Sequence, residues 1–116
     1  MSLTSESINH EILTELAKSI GAASVSRILR IFLDELDAQL EEICFHLDAN
    51  EIELIETLAH TMKSTSATFG AADLNAISSQ IEQAAQSRNH DALVPLVESL
   101  KTCVLHTAPL YKMYTE

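Results

Sequence analysis

Residues 24–47, SVSRILRIFLDELDAQLEEICFHL, decide the fold. Val25, Leu29, Phe32, Leu36, Leu40, Ile43 and Leu47 recur at steps of three and four, the spacing that keeps apolar side chains on one face of an α-helix. No glycine or proline interrupts the run. Such a helix is about 36 Å long at 1.5 Å per residue, and it needs long neighbours to cover its apolar face. A second row on the same helix, Ile31, Ala38 and Phe45, either packs inside a bundle or meets another protein.

The same period continues on both sides. Upstream, residues 8–20 read as a short helix with Ile12, Leu16 and Ile20 at four-residue steps and Gly21 as its stop. Downstream, Asn50 reads as an N-cap with Glu53 in capping-box position. The helix it opens, 51–69, has the core row Ile52, Ile55, Leu58, Ala59, Met62, Ser66 and Phe69, and Gly70 can take the left-handed conformation that ends it. A fourth helix over 72–87 turns Leu74, Ile77, Ile81 and Ala84 inward, and residues 88–90 form a turn. A fifth, from Asp91, presents Leu93, Leu96, Val97, Leu100 and Val104, with Pro95 near its first turn and Pro109 ending or kinking it. Short connections favour antiparallel neighbours. The expectation is therefore a single all-α domain over 1–116: an antiparallel up-down four-helix bundle with a short additional N-terminal helix.

Composition excludes several classes. The chain has 116 residues, 47% apolar, enough for one core. Two glycines and two prolines are too few for the turns of a β-sandwich. No apolar run approaches the ~20 residues of a membrane span, and residues 1–6 have neither the basic start nor the apolar stretch of a signal peptide. Seven basic residues against seventeen acidic ones give a net charge of −10. The basic residues are scattered, so nothing is arranged to neutralise phosphate, and nucleic acid and anionic membranes are poor partners. Cys44 and Cys103 form no CxxC pair and read as reduced thiols in apolar helical patterns, which points to the cytoplasm.

One histidine of the five stands out. At 100° per residue His60 lies about 140° from Ile55, the centre of the third helix's core row, so its ring projects to solvent. A solvated face ordinarily carries long side chains of high helix propensity. Around His60 the run 64–68 is instead Ser-Thr-Ser-Ala-Thr. Ser64 and Ala67, one and two turns on, leave the imidazole open to a large flat object such as another protein's active site. Lys63, three residues on, can reach an anion attached to the ring. Glu56, four residues before, could orient the ring or be an ordinary solvated carboxylate. A neutral imidazole has a nucleophilic nitrogen, and attack on phosphorus gives a phosphoimidazole. ATP chemistry has no visible apparatus: no GxxxxGK[ST] loop and no Asp/Asn pair placed for magnesium. The phosphoryl group would have to come from another protein. No Glu-x-x-His pairs of the di-iron kind occur, and Cys103 with His106 lacks the two further ligands of a zinc site, so neither cofactor nor metal is expected.

Residues 60–74, HTMKSTSATFGAADL, closely resemble the signature of histidine-containing phosphotransfer (Hpt) domains. His60 matches the phosphoacceptor, Lys63 the lysine beside it, and Gly70-Ala71 the helix-ending pair. Ser64 departs from the pattern, since most of the family has glycine there. Within the family, the runs KSTSATFGA, LAKSIGAASV and RIFLDELDAQL look like those of free-standing carriers of quorum-sensing phosphorelays. The resemblance implies a non-enzymatic, monomeric carrier between two receiver domains, one of a membrane-bound hybrid sensor kinase and one of a response regulator, with any divalent ion held by the receiver. The rival readings are the same domain from the C-terminal end of a hybrid kinase, and a helical adaptor without chemistry. If the second and third helices are antiparallel about Ala49, His60 lies level with Ala38, and the docking face is expected to reach Asp34, Asp37, Ala38 and Glu41.

Overall fold

The computed structural model describes residues 8–115; the reading of residues 1–6 as unlike a signal peptide lies outside them. Five helices of eleven residues or more follow in order: α1 (His10–Ile20), α2 (Ala22–Asp48), α3 (Ile52–Thr68), α4 (Ala72–Gln86) and α5 (His90–Thr107). A 3-10 turn, Ala108–Tyr111, leads into the one-turn α6 (Lys112–Thr115). The described residues are all-helical apart from one isolated bridge between Ile8 and Ala71. α2 packs against α3 and α5, and α4 also packs against α3 and α5.

Val25, Leu29, Phe32, Leu36 and Ile43 of α2 are buried, as their spacing requires, with Leu40 and Leu47 packed against them. The row Ile31, Ala38, Phe45 does not enter the core: Ile31 is 52% and Phe45 65% exposed, and Ala38 is exposed too. α1 also differs from expectation. Its buried residue is Leu13, while Ile12 and Ile20 are exposed. The helix begins at His10 because Asn9 caps it, its side chain accepting from the amides of Glu11 and Ile12. The change of start does not alter phase; α1 packs chiefly against α2, and a short helix buries only the side chains at its line of contact.

Three helix ends share one solution. After α2, α3 and α4 the chain makes the paired backbone bonds of a Schellman turn, Glu51 N–H to His46 O, Ala71 N–H to Ser66 O and Asn89 N–H to Ala84 O. The left-handed residues are Asn50 (φ 58°), Gly70 (φ 71°) and Arg88 (φ 56°). Asn50 thus ends α2 rather than capping α3; Glu51 holds that position without a side-chain hydrogen bond. Gly70 is needed on two counts, since a Cβ there would also approach Asn9 to 2.9 Å. Asn9 N–H donates to Gly70 O at 2.7 Å, so the chain before α1 lies directly on the α3–α4 turn. From the other end, the buried Tyr111 hydroxyl donates to Phe69 O at 2.7 Å. The end of the helix that bears His60 is therefore clamped from both termini.

Candidate functional site

His60 is exposed on α3, as the helical phase predicts, with 63% of its side chain accessible. Its orientation is set by a residue that the sequence reading did not single out. Glu82 of α4 accepts a hydrogen bond from the ring Nδ1 at 2.6 Å, and its other carboxylate oxygen accepts from Lys63 Nζ at 2.5 Å. The Glu82 side chain is only 10% exposed, Lys63 33%. One carboxylate bridges the imidazole and the ammonium, tying two positions of α3 to one of α4.

The register follows from backbone as well as side chains. Asn75 of α4 donates to the Lys63 carbonyl at 2.8 Å, and exposed Arg88 pairs with Glu53 at the opposite end. The pairs 53–88, 60–82 and 63–75 advance in opposite senses, so α3 and α4 run antiparallel.

The hydrogen bond to Lys63 holds the Glu82 carboxyl below the usual carboxylate range, against the opposing effect of its burial, with the contact to His60 acting in the same direction as Lys63. An ionised carboxylate can only accept, so the imidazole nitrogen facing it carries the proton. In the neutral ring that leaves Nε2 with the free lone pair. Nε2 is on the far side of the ring from Glu82. The bridge therefore fixes both the tautomer and the direction in which the nucleophilic nitrogen faces.

The other expected site residues divide. Ser64 and Ala67 are exposed beside His60, as anticipated. Glu56 is half-buried, and the ring's carboxylate partner is Glu82 rather than Glu56. Lys63 is not a free surface cation but half of an ion pair. Asp34, Asp37, Ala38 and Glu41 are exposed on α2, and Asp37 lines a groove against Leu105 and Pro109, while His60 leans to α4. Next to Ala67 is a shallow groove of about 170 Å³ lined by Asn9, Ile12, Ala71 and Asn75, which brings α1 to the edge of the His60 face. Among the described residues no three His, Cys, Asp or Glu side chains gather as a metal-binding group. Cys103 is buried and Cys44 half-buried, both as free thiols.

A segment of 82 residues is 32% identical to the phosphorelay protein LuxU of Vibrio cholerae, covering 71% of this chain and 73% of that protein. The LuxU of Vibrio vulnificus is 33% identical over 66 residues, 57% of each chain, so this alignment spans little more than half of that relative's length. The crystal structure of histidine-containing phosphotransfer protein B from Pseudomonas aeruginosa PAO1 superposes with a TM-score of 0.88 over 93% of both chains at 18% identity, which establishes the shared fold. The model of the Hpt domain matches residues 27–108, most of the chain and all of α3 and α4, and the chain belongs to that family.

Proposed function

We propose that this protein is a phosphohistidine carrier of a multistep phosphorelay, taking a phosphoryl group from the aspartate of one receiver domain and giving it to another, as a LuxU-like quorum-sensing component. The observation that carries the reading is the Glu82 bridge, which engages Nδ1 of the exposed His60 ring and so turns Nε2 away from the carboxylate. In the forward step the Nε2 lone pair forms an N–P bond as the P–O bond to the receiver's aspartate breaks, and the aspartate leaves as a carboxylate. The ring keeps its Nδ1 proton and gains positive character, which Glu82 offsets through a charge-assisted hydrogen bond. Lys63 is within reach of the same face and screens the phosphoryl charge. Transfer to the second receiver reverses these steps on a new aspartate.

The proposed architecture behind this is an antiparallel four-helix bundle of α2–α5 with α1 across one end. The receiver is proposed to cover His60, Ser64, Ala67 and Glu56, and to reach the groove beside Ile12. It supplies the divalent ion and the phosphoryl group, since the carrier needs no ATP site of its own. The exposed α2 positions Asp34, Asp37, Ala38 and Glu41 are proposed as the further reach of the same surface. No helix of the described residues is long and apolar enough to cross a membrane, in keeping with a proposed monomer in the cytoplasm.

The test is acid-labile phosphate incorporation from a radiolabelled phospho-receiver. Wild type should be labelled and His60→Gln should not, because an amide nitrogen has no available lone pair. Label retained by His60→Gln would end the assignment.

A further inference from the structure

We propose that the cleft between α1, α2 and α6 binds a flat-ringed phosphomonoester, the chemical class of the nucleoside monophosphates. The proposal does not rest on the phosphotransfer reading. The basic residues are scattered in sequence, but the fold gathers them. Arg27 and Arg30 of α2 line the cleft, and Lys18 and Lys112 are the chain neighbours of two further lining residues, Ala17 and Met113. Four of the seven basic residues, in a chain of net charge −10, are thus in or next to one cleft that no acidic side chain lines. Arg27 and Arg30 are three residues apart on one helix, so their guanidinium groups share a face. Arg30 donates to the Thr115 carbonyl, which ties α6 to α2 but brings no opposite charge. Arg27 is exposed, and no ion pair among the described residues uses either arginine.

The charge and the shape select the ligand. A phosphomonoester carries close to two negative charges near neutral pH and several strong acceptor oxygens. Two planar guanidinium forks can each engage a pair of those oxygens. Ser26, half-buried on the same lining, adds a hydroxyl donor. The rest of the cleft suits a ring. Its volume is about 560 Å³, within the range of small-molecule sites. Ala22 and Ala23 take up little of that space, while Met113 and Tyr114 of α6 supply a polarisable thioether and an aromatic face. The Tyr114 hydroxyl is hydrogen-bonded to His10 Nδ1, so its ring is held before a ligand arrives. Met113 is 70% exposed, and a ring packed on it would remove that apolar surface from water. A monophosphate has no anhydride bond, so this is a binding site and not a source of phosphoryl groups.

The test is isothermal titration calorimetry of the full chain with three probes: adenosine monophosphate, adenosine and inorganic phosphate. The nucleotide should bind at least about tenfold more tightly than either part, because it alone engages both the arginines and the apolar lining. Arg27→Gln should lose at least about tenfold, the effect of one charge-assisted contact. Its melting temperature should not change, because Arg27 holds no other residue in place. Lys101→Gln, which removes the same charge from α5, should bind like wild type. Ala23→Leu should bring the nucleotide down to the level of inorganic phosphate by filling the space for the ring. In NMR spectra the nucleotide should move the amides of residues 22–30 and 113–114. Undetectable binding at millimolar nucleotide would overturn the proposal. So would equal binding of nucleotide and inorganic phosphate, which would leave an adventitious ion only. Equal losses in Arg27→Gln and Lys101→Gln, or shifts confined to the His60 face, would overturn it as well.

Discussion

Replacing Glu82 separates orientation from charge at the reacting ring. In Glu82→Gln the amide oxygen can still accept from Nδ1, so the tautomer is kept, but the bond to His60 is no longer charge-assisted and Lys63 loses its counter-ion. A hydrogen bond to a charged group contributes about 1.5–3 kcal/mol against about 0.5–1.5 for a neutral one. The difference, about 1–1.5 kcal/mol, acts where the ring gains positive character, and corresponds to a roughly five- to twelvefold slower transfer. In Glu82→Ala the acceptor is gone and the proton is free to move to Nε2, where it blocks attack; the loss should be larger, on the order of the full charged bond, about ten- to a hundredfold. Neither variant strands a buried charge beyond rescue, since the His60 ring is mostly exposed and Lys63 is one-third exposed. Helical content should be unchanged. The assay is quenched-flow transfer from a phospho-receiver at saturating receiver, with circular dichroism as the folding control. Equal rates for wild type and Glu82→Ala would refute the argument that the bridge sets the nucleophile. A faster Glu82→Gln would mean that repulsion of the incoming phosphoryl group outweighs stabilisation of the ring.

Three other outcomes are expected. Lys63→Ala should slow transfer roughly two- to thirtyfold without abolishing it, as expected for a partly exposed charge contributing up to about 2 kcal/mol; complete loss would give the lysine a role beyond screening. Ser64→Arg or Ala67→Phe should cut transfer strongly while melting near the wild-type temperature, and receiver titration should shift the amides around His60, Ser64, Ala67 and Ile12 together with those of Asp34, Asp37, Ala38 and Glu41 in NMR spectra; shifts confined to α4 and α5 would refute this docking face. Because the hydrogen bond from Lys63 lowers the Glu82 pKa from its ordinary 4.5, the folded state binds fewer protons than the unfolded one, so the bridge stabilises above that range and its contribution is lost as pH falls through the lowered folded value; urea midpoints of wild type and Glu82→Gln should converge in acid, and a gap that persists would assign the difference to packing.

Periodicity made α2 and α3 readable because their buried positions are dictated by one geometric fact, the 3.6-residue turn, repeated many times. Leu36, Ile43, Ile55 and Met62 are all buried where that repeat puts them. It failed where a single contact decides. Asn50 looked like a cap because Asn favours both caps and left-handed turns, and only the backbone bonds of 46–51 show which applies. In α1 one line of contact, chiefly with α2, chose Leu13 over Ile12. The exposed small residues near His60 were readable by the opposite logic, since Ser and Thr have only mediocre helix propensity, and a solvated helix face without long side chains calls for another explanation.

Glu82 was hidden for a reason that also explains its importance. It lies 22 residues from His60 in sequence, and whether the two meet depends on the rotation and rise that the Gly70 turn imposes between α3 and α4. One residue more in that turn would rotate Glu82 by about 100° away from the ring. The available signal was chemical rather than periodic. On α4 the buried positions Leu74, Ser78, Ile81 and Ala85 bracket residue 82, so a carboxylate sits beside the core row, where an ion is costly without a partner. A cation had to stand opposite, and Lys63 is the α3 cation at that level. Gly70 fixes the turn, Asn9 and Tyr111 hold the turn in place from the two ends of the chain, and the Glu82 bridge then reads out that register as the orientation of one imidazole. The site is therefore sensitive to the clamp as well as to its own residues: loosening the contact of Tyr111 with Phe69 frees the α3–α4 turn, and the first consequence is disorder at His60 Nδ1, about two turns and a half away along α3.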